Sequence, residues 1–233
     1  MIELDGLVVL TDPQWSDFAD PFDAFVERFQ PPPVPLEQLP PIDVVVISHD
    51  HWDHLDMKTV QRLARDRPTT TFFVPLGVGG HLERWGIAPE RFREFDWGDD
   101  VDVKGVRVVS TPSRHFSGRG LVDANRTLWT SWALVGPRHR VWFSGDTGLT
   151  PSFEDIGRVH GPFDLALVEI GIETFQKGRD RDRQEAAYGA KDRRAPRSRP
   201  KYPIAPRFWR LRSLRREVFG GRAHTFRMPD QPA

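Results

Sequence analysis

The chain contains no cysteine. Disulfides and thiolate metal ligands are therefore both excluded, and any metal must be held by His, Asp or Glu. Long hydrophobic runs are also missing: no stretch approaches the roughly 18 apolar residues that a membrane helix needs. The opening Met1-Ile2-Glu3-Leu4-Asp5 lacks the basic start and apolar stretch of a signal peptide, so a cytoplasmic protein is the default expectation. An excess charge of either sign is absent too, since 33 Lys+Arg balance 33 Asp+Glu. That balance hides a split. Residues 176–233 hold 17 Lys+Arg against 6 Asp+Glu, and residues 1–175 hold the remaining 16 against 27. Such asymmetry marks a basic interaction tail or a segment of different origin.

What is present is globular: 38% hydrophobic and 28% charged residues over 233 positions, enough for one sizeable core. Leu7–Leu10 reads as a short buried strand running into the turn Thr11-Asp12-Pro13. Residues 15–41 are loop-like, held extended by Pro31-Pro32-Pro33 and Pro40-Pro41. Ile42 to Ser48 is a continuous β-branched run, the pattern of a central parallel strand. A helix follows, with Asp56 as N-cap, Val60, Leu63 and Ala64 on one face, and Pro68 as its stop. Further strands are expected at Thr70–Val74, Val106–Ser110 and Phe163–Ile170, a short helix at His81–Trp85 ending at Gly86, and a hairpin of Leu128–Val135 with Arg140–Ser144. After Phe175 the pattern stops: residues 176–200 have almost no large apolar side chains.

The chemistry is concentrated in His49-Asp50-His51-Trp52-Asp53-His54, directly after the central strand. In extended chain leaving a strand, alternate side chains point the same way, so His49 and His51 can converge on one ion. Asp53 and His54 lie in the following turn and can face a second. Imidazoles with a carboxylate suit zinc, and also iron or manganese. His115 and Asp146 lie just beyond two other predicted strands, where ligands gather in open sheets. Taken alone, His115 would be an ordinary surface histidine and Asp146 a turn former; beside the cluster both become ligand candidates. His81, His139 and His160 read as surface or capping residues. Trp52 and Trp129 are candidates to line a lipid or acyl groove, and the glycines at 77, 79 and 80 read as a turn rather than a nucleotide loop.

The cluster resembles the HxHxDH signature of the metallo-β-lactamase superfamily. More closely, the chain is similar to its N-acyl-phosphatidylethanolamine phospholipase D-like branch. The resembling stretches are LTDPQWSD (10–17), RFQPPPVPLEQLPPIDVVVISHDHWDHLD (28–56), VPLGVGGHLERWGI (74–87), RHFSGRG (114–120), NRTLWTSW (125–132) and FSGDTG (143–148). The resemblance as a whole runs over residues 4 to about 172. The resemblance implies an αββα sandwich and a site for two zinc ions. His49, His51 and His115 would hold the first ion, Asp53 and His54 would help hold the second, and Asp146 would bridge. It implies a hydrolase whose hydroxide is activated by both metals, with Asp53 orienting the water or taking its proton. The substrate would be a phosphodiester, or a lactone-like ester as in a related branch.

Two departures from that family shape further expectations. The family opens with an earlier strand bearing a Gly-His-(Ala/Ser) element, and it places a final metal-binding histidine well after the GDTG segment. Neither pattern is found here, so the αββα domain of residues 1–175 is expected to be incomplete at both ends and its second metal short of a ligand. On that expectation this chain, as written, would hydrolyse little or nothing, and an inactive remnant with a basic tail stands as the alternative to a working hydrolase. Residues 176–233 contain 14 Arg, and His224 is their only histidine. Two readings of this segment compete: a C-terminus read out of frame, and a basic tail for nucleic acid or anionic lipid. The basic tail is the sole feature that suggests nucleic acid. The expected partner is a small-molecule or lipid substrate.

Overall fold

The computed structural model describes residues 1–20, 22, 26–28, 30–169 and 226–227. The elements are β1 (Ile2–Leu4), β2 (Leu7–Thr11), β3 (Val44–Val46), α1 (Met57–Asp66), β4 (Thr71–Pro75), α2 (Gly79–Arg84), β5 (Phe92–Phe95), β6 (Asp100–Val103), β7 (Val106–Thr111), β8 (Ser131–Val135), β9 (Arg140–Phe143), α3 (Ser152–His160), β10 (Leu165–Leu167) and β11 (Phe226–Arg227). One sheet has the order β1-β2-β3-β4-β5 and the other β11-β10-β9-β8-β7-β6. In the first, β2 to β5 run parallel and β1 is an antiparallel edge. In the second, only β9 and β10 run parallel.

Three apolar clusters stack these elements into an αββα sandwich. The middle one lies between the sheets, with Val44, Val46, Phe73 and Phe95 against Val108, Trp132 and Leu134. Phe95 meets Trp132 edge-to-face, with ring centroids 5.2 Å apart. A second cluster seats α1 and α2 on the outer face of the first sheet, where Val60, Leu63 and Leu82 cover Val45, Ile47, Phe72 and Val74. A third seats α3 on the other sheet, through Ile156 against Ala133 and Trp142. Parallel strands covered on both faces read as unbroken apolar runs, which is why β3 and its flanks were recognisable.

α1 starts where its cap predicts: the Asp56 carboxylate accepts from Lys58 N and Thr59 N, and also from Trp15 N and Ser16 N of the long preceding loop. Full burial of Val60 and Leu63 stabilises the helix by about 1.5–3 kcal/mol per side chain. Gly86 sits at φ +83 just past α2, the left-handed position a glycine serves after a helix.

The sequence reading missed five elements, the short β11 among them. β1 joins β2 across Asp5-Gly6 (φ +48 and +90), and β6 joins β7 across Lys104-Gly105 (φ +55 and +80), two-residue turns whose twist matches the strands. β5 follows a tight turn at Pro89–Arg91. α3 carries Gly157 in its interior and no capping side chain at its start, and its stop signal, Gly161-Pro162, was passed over. The expected buried strand at Phe163–Ile170 shrinks to β10, which is only half-buried because it lies near the sheet edge. Residue 170, the organisational break near 175 and His224 lie outside the described residues. Among the described residues no helix is long and apolar enough to cross a membrane.

Candidate metal centre

Every candidate ligand leaves the carboxyl end of a strand. β3 runs into Ser48–His54, β7 into Pro112–Arg119, and β9 into Ser144–Thr147. The chain leaving β3 stays buried through Asp50, and the alternating directions of its side chains set the histidine rings. His49 is 1% exposed, and its Nε2 lies 2.8 Å from His51 Nδ1. His115, 4% exposed, brings Nε2 to 3.2 Å from the same His51 nitrogen. Ring centroids of the three are 4.3, 4.5 and 4.9 Å apart, all nearly perpendicular. A tetrahedral zinc with Zn–N near 2.0–2.1 Å needs nitrogens about 3.3 Å apart, so this donor set fits an ion after an opening of a few tenths of an ångström.

Beside it lies a second group. His54 Nδ1 meets Asp12 Oδ2 at 2.7 Å, and its Nε2 lies 3.2 Å from Asp146 Oδ1 and 3.6 Å from Asp53 Oδ2. Asp146 Oδ2 is 3.8 Å from His115 Nε2, so this carboxylate stands between the two groups. Asp53 is the outlying member, with its side chain 62% exposed at the mouth. The structure therefore brings His49, His51, His54, His115 and Asp146 into one cleft, with Asp53 at its edge.

The electrostatics divide in the same way. Burial drives His49 well below the usual imidazole range, and the neighbouring imidazoles add to the effect. Burial also lowers His51, against the nearby Asp50 and Asp53, and it pushes His115 down to about 3. These three rings stay neutral, as metal ligands must be. Burial opposes charge on His54 as well, but its bonds to Asp12 and Asp146 outweigh burial and raise it well above the usual range. Asp146 is held below the usual carboxylate range: burial opposes this, and the His54 contact dominates. Without metal, a proton on His54 supplies positive charge between two carboxylates.

Asp12 is a site residue that sequence reasoning passed over as a turn former. At φ +37 its carboxylate folds back onto the next strand, where Oδ1 accepts from Ser48 N at 2.7 Å and Oδ2 from Ser48 Oγ. Ser48 Oγ in turn lies 2.8 Å from His49 Nδ1. Asp12, His49 and His54 also bring donor atoms within reach of one another, but this group shares His49 with the first set, so Asp12 serves to link the two rings. The available signal was its place at the end of β2, which pairs in parallel with β3 through Thr11 and Val46. Glu169 was also missed. Its Oε2 accepts from Thr147 N at 2.6 Å, bracing the Asp146 loop, and burial raises its carboxyl above the usual range.

The expected groove does not include Trp129, which is 6% exposed and donates to Ser113 O at 3.0 Å. Trp129 packs there because its indole N–H finds a partner inside the domain. Phe116 takes the position at the mouth instead, 42% exposed with its ring 4.6 Å from both His51 and His115. His81 is not a free surface residue, since its Nε2 lies 3.5 Å from Asp50 Oδ2. His160 is half-buried, while His139 is exposed and bonds Asp5.

Comparison with known proteins gives a consistent picture. A family model described as a beta-lactamase superfamily domain matches residues 8–182. An uncharacterised protein of Mycobacterium tuberculosis is 54% identical over 172 residues, which cover 73% of this chain and 46% of that protein. The N-acyl-phosphatidylethanolamine-hydrolyzing phospholipase D 1 of Caenorhabditis elegans is 39% identical over 181 residues, covering 73% of this chain and 51% of that protein. The chain spans about half the length of these curated relatives. Among solved structures, the metallo hydrolase Igni18 of Ignicoccus hospitalis superposes with a TM-score of 0.54 at 23% identity, covering 73% of this chain and 66% of that one. That last likeness is one of fold.

Proposed function

The chain belongs to the metallo-β-lactamase superfamily, and on that premise we propose that it is a metal-dependent hydrolase of phosphodiesters, with a lipid or other small molecule as substrate. The observation that carries the reading is the pairing of two donor groups in one cleft: three neutral imidazoles, and beside them His54 between two carboxylates. His49, His51 and His115 would hold one ion. His54, Asp53 and Asp146 would hold the other, with Asp146 shared. Zinc suits this imidazole and carboxylate set best, and iron or manganese is compatible with it. Metal bound by these residues would supply a water whose pKa is lowered toward about 7 and a Lewis acid at the bond under attack.

The rest is done by the chain itself. Asp12 fixes which nitrogen of His54 faces the cleft, because Nδ1 is engaged and Nε2 is left toward Asp146. Asp53, exposed at the mouth, would orient the water or take its proton. Phe116 walls one side of the His51 and His115 rings and keeps bulk water from them. The phosphodiester choice follows from the similarity to the phospholipase D relative over 73% of this chain.

The test is hydrolysis of bis(p-nitrophenyl) phosphate by chelator-treated protein before and after zinc addition, run beside a lactone panel. The expected result is zinc-restored phosphodiesterase activity that the double variant His49→Ala, His51→Ala lacks along with stoichiometric zinc. Lactone hydrolysis without phosphodiesterase activity would replace the substrate class. Stoichiometric zinc in the double variant would remove the ligand assignment.

A further inference from the structure

In the segment His49–His54 the side chains that face the cleft alternate with two that do not, Asp50 and Trp52. Both turn toward the loop that carries His115. Asp50, 1% exposed, accepts from Gly118 N at 2.7 Å and Thr127 Oγ1 at 2.8 Å. Trp52 donates its indole N–H to Arg119 O at 3.0 Å and lays its ring under the Arg119 guanidinium, 3.8 Å away. Trp85 lies 5.2 Å from the same group. Arg119 completes the contact: its Nη1 donates to Asp50 O and Leu55 O, both at 2.8 Å, with His51 O at 3.5 Å. One nitrogen thus ties both ends of the turn that presents His51, Asp53 and His54. Arg119 stands four residues after His115, so the turn and the third imidazole are drawn into one unit.

We infer that Arg119 is a positioning residue for the metal centre, acting through the main chain of residues 50–55 and stacked on Trp52. The inference rests on the metal-centre reading above. Without this guanidinium the buried carbonyls lose their donor and the turn regains freedom that ion binding must then remove. Partners that orient ligands typically control affinity 10–100-fold. Lysine cannot replace it: an ammonium has no planar face to stack on the Trp52 ring.

Arg91 is the matched control. It gathers Ala64 O at 3.2 Å and Arg67 O and Thr70 O at 2.9 Å, in the turn after α1, touching no ligand segment. Cobalt(II) is titrated into the metal-free full chain and followed by its visible absorption, which reports coordination geometry, with circular dichroism as a check of folding. Arg119→Ala is expected to weaken cobalt binding 10–100-fold and to change the band shape. Arg119→Lys should fail to restore either. Arg91→Ala should lower the unfolding temperature yet leave cobalt affinity within about twofold. If Arg119→Ala does not fold, Arg119→Lys and Trp52→Phe are read in the same way. Wild-type affinity and spectrum in a folded Arg119 variant overturn the inference, and so does an equal loss in Arg91→Ala. Failure of the unsubstituted chain to bind cobalt overturns both this inference and the metal-centre reading.

Discussion

His115 makes the metal-free protein sensitive to mild acid. Its ring is 4% exposed and packed among other imidazoles, and burial holds its folded-state pKa at about 3. In the unfolded chain the same group titrates near 6.5. The folded value is depressed, so the unfolded chain binds more protons as pH falls below 6.5. The stability contributed by neutral His115 is complete above that pH and is lost progressively toward 3. By pH 5 the unfolded chain has gained about 1.5 pH units of protonation free energy that the folded chain has not, or about 2 kcal/mol. His49 and His51 act in the same direction, while His54, raised by Asp12 and Asp146, acts in the other. The share of His115 is isolated by comparison with His115→Asn, which keeps a polar group there and cannot titrate. Urea unfolding with chelator present, at several pH values from 7.5 to 5, gives the two stability curves. Their separation should change by about 2 kcal/mol over that range, and parallel curves would refute the argument.

Gly145→Ala should destabilise the chain by about 2 kcal/mol or more and lower its metal content, because φ is +55 and the new Cβ would lie 2.4 Å from Ser48 Cβ; thermal unfolding and metal analysis read both effects. Asp12→Asn should weaken the second ion 10–100-fold and the first, reached only through Ser48, by less, so that a zinc titration falls from two ions toward one. Leu63→Ala, in the fully buried face of α1, should cost about 2–5 kcal/mol in urea unfolding with unchanged metal stoichiometry.

How much of this was legible depended on whether a residue's meaning was local. The strand before the ligands was readable because both its faces are covered, by α1 on one side and the second sheet on the other. α1 was readable because Asp56 caps it and Val60 and Leu63 repeat at helical spacing. β6 was missed although Asp100–Val103 alternates exposed and half-buried residues, because four residues at a sheet edge are a short stretch on which to read that period. α3 was hidden by its internal glycine and missing cap. Asp12 was hidden for another reason. In Thr11-Asp12-Pro13 a carboxylate means a turn, and it becomes part of the centre only because β2 lies parallel to β3 with Thr11 opposite Val46.

The segment His49–His54 shows why one face of a motif is read and the other lost. Period-two alternation is what makes the histidines converge, and it necessarily sends Asp50 and Trp52 the opposite way. Those two residues offer no recognisable chemistry in sequence, because their partners Gly118, Arg119 and Thr127 lie more than 60 positions away. A strand end can present ligands on one face only if the other face is held, and a surface turn would leave Asp50 solvated rather than 1% exposed. The burial of an acidic side chain between two histidines, with donors from Gly118 N and Thr127 Oγ1 offsetting its desolvation, is therefore a structural counterpart of the ligand pattern. It also explains why His115 need not be near His49 in sequence. The loop that delivers it is anchored by the very residues that separate the first two histidines, so the three imidazoles are set by one set of contacts.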